Sequence, residues 1–267
     1  MTGGGEWTRA DGELTLRDWR GRELVPARER ETAATVARVG VAAARDLIAA
    51  LARGGHGVDR ELSADLLERQ VEAARAVCLV SAAAIHATGF LIGPGRLLTS
   101  PAVVRGAGPG HARFHHQRDA EGQPAPSVAY RLDLAAAVHL EAARGVALVP
   151  VHGEPGASWG ALTVDRGSSR PRPGDRLLVI HHRGDGPKRI VADAEVGHVG
   201  DEAVQFVTSG EPAAAGAPVF DSRLRLIGVN RRAGREPHTG VLGDGYFRNE
   251  AVRWDAVLAA LPAGWDS

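Results

Sequence analysis

The spacing of apolar residues changes character along the chain. From Glu29 to Leu51, Ala34, Val36, Val39, Val41, Ala42, Leu47, Ile48 and Leu51 recur at roughly helical intervals. Arg53-Gly54-Gly55 then offers residues that tolerate a left-handed stop. A second helix is predicted from about Ser63 to Arg75, with Leu66, Leu67 and Val71 on one face and Ser63 as its N-cap. Ahead of both, residues 1–27 are rich in Gly, Arg and Asp with weak periodicity. Trp7, Leu14, Leu16 and Trp19 there suggest a short strand or loose packing.

After Arg75 the pattern turns to short apolar runs cut by glycine and proline. Strands are expected at 76–80, 87–92, 96–99, 112–116, 130–134, 146–151, 176–181, 188–196, 203–208, 219–220 and 226–230. A last helix is expected from Asn249 to Leu261. The chain thus divides into an N-terminal tail at 1–27, a helical extension at 28–75 and a mainly β domain at 76–267. So many short strands argue for a sandwich or a barrel.

Composition narrows the function classes. The 267 residues balance 32 basic against 32 acidic side chains, which removes the electrostatic footprint of a nucleic-acid binder. Lys188 is the only lysine, so 31 of the basic residues are arginine, a bias typical of a GC-rich, actinobacterial-type genome. The single cysteine, Cys78, excludes an internal disulfide framework and a multi-cysteine zinc site. The first residues have neither a basic nor an apolar leader region, and no run approaches 18 apolar residues. A cytoplasmic protein that neither spans a membrane nor binds nucleic acid is the expectation.

Five segments carry the chemistry. Ala87-Thr88-Gly89-Phe90-Leu91-Ile92 leads through a Gly93-Pro94-Gly95 turn to Leu97-Leu98-Thr99-Ser100-Pro101-Ala102-Val103-Val104. Tyr130-Arg131-Leu132-Asp133 precedes Gly145-Val146-Ala147-Leu148-Val149. Gly174-Asp175 opens an apolar run ending His181-His182-Arg183-Gly184-Asp185-Gly186-Pro187-Lys188. Thr208-Ser209-Gly210-Glu211-Pro212-Ala213-Ala214-Ala215-Gly216-Ala217-Pro218-Val219-Phe220 follows, and then Ile227-Gly228-Val229-Asn230-Arg231-Arg232. In this order the segments resemble bacterial trypsin-like serine peptidases, the relatives of glutamyl endopeptidases, over about residues 76–262.

That resemblance implies a chymotrypsin-like double antiparallel β-barrel, two six-stranded barrels with a closing helix after them. It also implies a missing active site. Ala102 stands at the position of the histidine base, Gly145 at that of the orienting aspartate and Ala215 at that of the serine nucleophile. Ala213 replaces the glycine whose N–H helps form the oxyanion hole. Without hydroxyl, imidazole and carboxylate the acyl-transfer chemistry of this fold has no agents. Arg231 and Arg232 stand where active relatives place a pocket histidine, so Asn230, Arg231 and Arg232 are candidates for binding an acidic group. Successive strand residues point to opposite faces, so one of the two arginines is expected to face the pocket.

Other residues offer alternatives. Asp133 and Glu141 are candidates for a displaced carboxylate, and Ser209, Ser100, His86, His181 and His182 for a relocated catalytic set. The spacing supports no convergence among them. His111, His115 and His116 invite a zinc site, but His115 and His116 are adjacent on an expected strand and diverge. Cys78 reads as a small buried side chain. Neither a metal nor a cofactor is expected. Three functions follow: a non-catalytic module that binds a protein or peptide, a hydrolase with relocated residues, or a scaffold subunit docking through its N-terminal helices. Relatives of this kind often accompany bacterial signalling or defence ATPases, a context the resemblance implies.

Overall fold

The computed structural model describes residues 6–10, 13–17, 64–106, 108–140, 145–164, 170–208, 213–236 and 246–265. The expected helix at 29–51, and Ser63, Glu141 and Ser209, lie outside these. The chain forms two units, one of residues 1–61 with 118–123 and one of the remainder. In the first, β1 (Glu6–Ala10) and β2 (Glu13–Arg17) make an antiparallel hairpin with Trp7 opposite Leu16. The intervening dipeptide is Asp11-Gly12, the strongest short-range hairpin signal in a sequence.

The second unit opens with α1 (Ala64–Arg75), whose Ala73 and Ala74 pack on the core while Val71 is 39% exposed. Next come β3 (Val77–Ala82), β4 (Ile85–Gly93), β5 (Arg96–Thr99), the single turn α2 (Pro101–Val104), β6 (Gly110–Phe114), β7 (Val128–Arg131), β8 (Val138–His139), β9 (Ala147–Pro150) and the turn α3 (Gly156–Trp159). These strands form one antiparallel sheet in the order β7-β6-β3-β4-β5-β9-β8. A lone bridge from Leu132 to Val151 curls its ends together. The expected count of six is exceeded because β8 adds a two-residue edge strand beside β9.

The last six strands are β10 (Arg176–His182), β11 (Lys188–Val199), β12 (Ala203–Thr208), β13 (Pro218–Asp221), β14 (Leu226–Glu236) and β15 (Tyr246–Arg253), followed by α4 (Trp254–Ala260). They close into a barrel in the order β10-β11-β12-β15-β14-β13. The fold is therefore mainly β, a chymotrypsin-like double barrel with a C-terminal helix. Among the described residues no helix is long and apolar enough to cross a membrane.

Strand alternation explains why runs such as Leu177-Leu178-Val179-Ile180 are apolar throughout. Leu177, Val179, Val219 and Ala251 point into the closed barrel. Their neighbours Leu178, Ile180, Phe220 and Val252 point out and join the core of the first sheet. A strand with core on both faces has no polar side to display.

One element differs from expectation. Residues 249–253 are strand, not the start of the closing helix, which begins at Trp254. Their helix-compatible composition is overridden by pairing on both sides, with β12 and with β14, which closes the barrel. His115 likewise ends β6 instead of continuing it, with φ at +56°.

Candidate functional site

The segments of Ala102 and Ala215 meet at Thr88 on β4. The Thr88 N–H donates to the Ala215 carbonyl at 3.0 Å, and the Thr88 carbonyl accepts from Thr99 Oγ1 at 2.8 Å. Gly216 lies so close that a Cβ there would sit 2.1 Å from Thr88 O and 2.8 Å from Ser100 N, and its φ is +82°. Only glycine fits this contact. Ser100 caps α2 by accepting from the Ala102 N–H at 3.3 Å. Two methyl groups thus stand on segments that touch through their backbones.

The loop before Ala215 is held by buried side chains. The Ala213 N–H donates to Asn249 Oδ1 at 2.8 Å, and Asn249 Nδ2 donates to Thr208 Oγ1 at 3.2 Å. Asn230 Nδ2 donates to the Ala213 and Ala214 carbonyls at 2.8 and 3.1 Å. The Ala214 N–H donates to His181 Nδ1 at 3.2 Å. Burial, then the charges of Arg189 and Arg183, hold the His181 imidazole down at about 4, so near neutral pH this nitrogen remains an acceptor. Asn230 is fully buried and spent on this loop, so its side chain shapes the site without facing solvent. A donor turned inward to Asn249 is not directed at a substrate oxygen.

Gly145 has φ at +98°, and a Cβ there would lie 2.7 Å from Arg231 Cβ. An aspartate at this position meets both backbone strain and the arginine stem. Arg231 and Arg232 converge on one carboxylate. Arg231 Nε donates to Glu250 Oε1 at 2.6 Å, Arg232 Nη2 to Glu250 Oε2 at 2.8 Å, and Gln205 Nε2 to Oε2 at 3.1 Å. Burial pushes the Glu250 carboxyl up, but hydrogen bonds from Arg232, Gln205 and Arg231 outweigh it and hold the group at about 2.

Arg231 and Arg232 share this partner although strict alternation would turn them to opposite faces. The register of β14 against β15 shifts between Asn230 and Arg232, and such a bulge breaks strict alternation. Neither arginine is simply solvated: Arg231 is 22% and Arg232 70% exposed, and both are paired.

The remaining candidates scatter. Asp133 Oδ1 accepts from the Ala136 N–H at 3.1 Å in a local turn. His86 is exposed on β4. His115 stacks on Trp159 and His116 on His182, while His111 is exposed on β6. Among the described residues no three His, Cys, Asp or Glu side chains form a group able to hold a metal ion. Cys78 is fully buried. Sequence reasoning missed Asn249 and Glu250. Their signal was a pair of polar residues directly before the apolar Ala251-Val252, and reading a helix there concealed that Asn249 turns into the barrel while Glu250 turns out of it.

Two joined β-units with a helix after the last strand define a chymotrypsin-type fold. The chain belongs to the trypsin-like peptidase domain family, whose model matches residues 87–229, more than half of its length. Solved structures agree in fold. The M. tuberculosis protease Rv3671c in its inactive form matches at 15% identity, covering 74% of this chain and 94% of its own, with a TM-score of 0.50. The MamO protease domain of Magnetospirillum magneticum, apo form, matches at 15% identity over 72% and 98%, with a TM-score of 0.50. A variant of the HtrA-type protease AlgW with a tripeptide matches at 18% over 74% and 62%, with a TM-score of 0.51. At these identities the likeness concerns the fold alone. No curated protein matches the chain in sequence.

Proposed function

We propose that this chain is a catalytically silent trypsin-like domain that acts as a protein- or peptide-binding module in the bacterial cytoplasm, within a signalling or defence assembly. Ala102, Gly145 and Ala215 take the places of base, orienting acid and nucleophile, and Ala213 that of the oxyanion glycine. The observation that carries this reading is the meeting of the Ala102 and Ala215 segments at Thr88, with a methyl group as the side chain at both 102 and 215. The commitment of the Ala213 N–H to Asn249 supports it, since an oxyanion donor is worth about 3–4 kcal/mol of transition-state stabilisation.

Recognition falls to the Arg231–Arg232 side. Because both guanidiniums hold Glu250, an incoming carboxylate shares Arg232, the more exposed of the two. The test has two arms. Fluorogenic peptide and ester substrates, with a fluorophosphonate probe, are expected to give no turnover and no labelled serine. A labelled serine or a cleavage rate lost in His181→Ala overturns the silent reading. Titration with acidic peptides is expected to weaken in Arg232→Ala. Equal binding removes the arginine from recognition.

A further inference from the structure

One basic side chain of the 32 is a lysine, and it sits where α1 meets both halves of the double barrel. Lys188 begins β11, and its backbone N–H donates to the His116 carbonyl at 2.7 Å. Its ammonium donates to the Ala74 carbonyl in the last turn of α1. The same turn reaches the first barrel through Arg75 Nη2, which donates to the Ser158 carbonyl at 3.0 Å. Among the described residues no carboxylate pairs with Lys188. The titratable groups around it are Cys78 on β3, His182 on β10 and His116, whose ring stacks on His182. On α1 itself Glu72 is engaged with Arg75 at 3.4 Å. His182 Nε2 finds no partner.

We propose that α1 is a releasable strap across the two barrels, latched at its C-terminal end by the Lys188 amine, and that protonating this amine loosens the latch. Two effects oppose each other at this point. The carbonyls at a helix C-terminus favour a cation, but only modestly. Drawing an ammonium partly out of water beside a neutral thiol and the neutral His182 imidazole, with one carbonyl as acceptor, is costlier. Burial wins, drawing the amine from 10.5 to about 8 against a smaller opposing influence of Cys78.

The direction of the coupling follows. With α1 released, the amine returns to water and to its ordinary range, so the released state holds the proton more tightly. Docking strengthens as pH rises from about 8 towards 10.5 and is weakest, and flat, well below 8. Between pH 7 and 9 the docking equilibrium changes by about tenfold, and across the whole span by roughly 300-fold. His182, kept neutral by burial, adds no charge change in this window. An arginine has no such response, because its guanidinium stays charged. That is a physical reason for lysine at this one position in an arginine-rich chain, and it holds whether or not the cleft turns over peptide.

The full chain labelled with nitrogen-enriched lysine gives one side-chain signal, so its titration reports Lys188 alone. The expected midpoint is near 8, and an ordinary midpoint near 10.5 overturns the proposal. Hydrogen exchange of the α1 amides, corrected for intrinsic rates, provides the second readout. Opening is expected to fall about tenfold from pH 7 to 9 in the wild type. Lys188→Met is expected to stay closed at both values and Lys188→Arg to open at both. The same pH dependence in all three proteins overturns the latch. If the variants do not fold, the wild-type titration and exchange decide together.

Discussion

The 213–216 loop and the junction beneath α1 both bury polar groups between elements, and they do so in opposite ways. In the loop, the N–H groups of Ala213 and Ala214 and the carbonyls of Ala213, Ala214 and Ala215 all have partners, mostly neutral side chains. At the junction, one ammonium has a single carbonyl and one imidazole nitrogen has nothing. A neutral network whose backbone groups are satisfied holds its members in one arrangement in a low-dielectric interior, even with Asn230 Oδ1 lacking a partner. An uncompensated cation in the same medium favours any state that returns it to water. What decides between lock and latch is whether the group left short of partners carries a charge.

The largest expected effect falls on the loop. Gly216→Ala drives a methyl against two backbone atoms at a positive φ and should cost about 3–5 kcal/mol, read from the denaturant midpoint. A loss under about 1 kcal/mol would show that the loop gives way and is no lock. Asn249→Ala strips the Ala213 N–H of its acceptor and removes a hydrogen bond to Thr208, and should cost about 2–4 kcal/mol. Its sharper readout is the Ala213 amide, whose hydrogen exchange should accelerate.

Glu250 tests the adjoining arginine pair by pH. Its carboxyl sits at about 2 when folded and at the ordinary 4.5 when not, so its contribution is present above 4.5 and lost as pH falls towards 2. About 3 kcal/mol is at stake. Glu250→Gln should flatten that part of the wild-type acid limb, and an unchanged limb would mean that the pair is screened. Arg232→Ala comes last, at no more than about 0.5 kcal/mol in thermal melts, because the guanidinium is mostly exposed and Glu250 keeps Arg231 and Gln205.

Local patterns carried much of the architecture. Short apolar runs between glycine and proline turns marked most strands from β3 to β14, because a strand with core on both faces shows no polar alternation. The motif order led to the double barrel, and the residues at positions 102, 145, 213 and 215 were legible as letters. Residues 249–253 were not, since Asn249-Glu250-Ala251-Val252-Arg253 suits a helix until the barrel demands a closing strand.

By itself the sequence determined the class of fold, the alanines at 102, 213 and 215 with glycine at 145, and the rarity of lysine. Tertiary structure alone decided what those residues meet. The β14 bulge turns both Arg231 and Arg232 onto Glu250, although strand periodicity assigns them opposite faces. The Ala213 N–H faces Asn249 because strands distant in sequence close around it. Lys188 becomes a half-buried amine held by a helix-end carbonyl only when β11 is laid against the end of α1. Periodicity is a property of neighbours along the chain, whereas burial, hydrogen-bond satisfaction and charge state depend on neighbours in space.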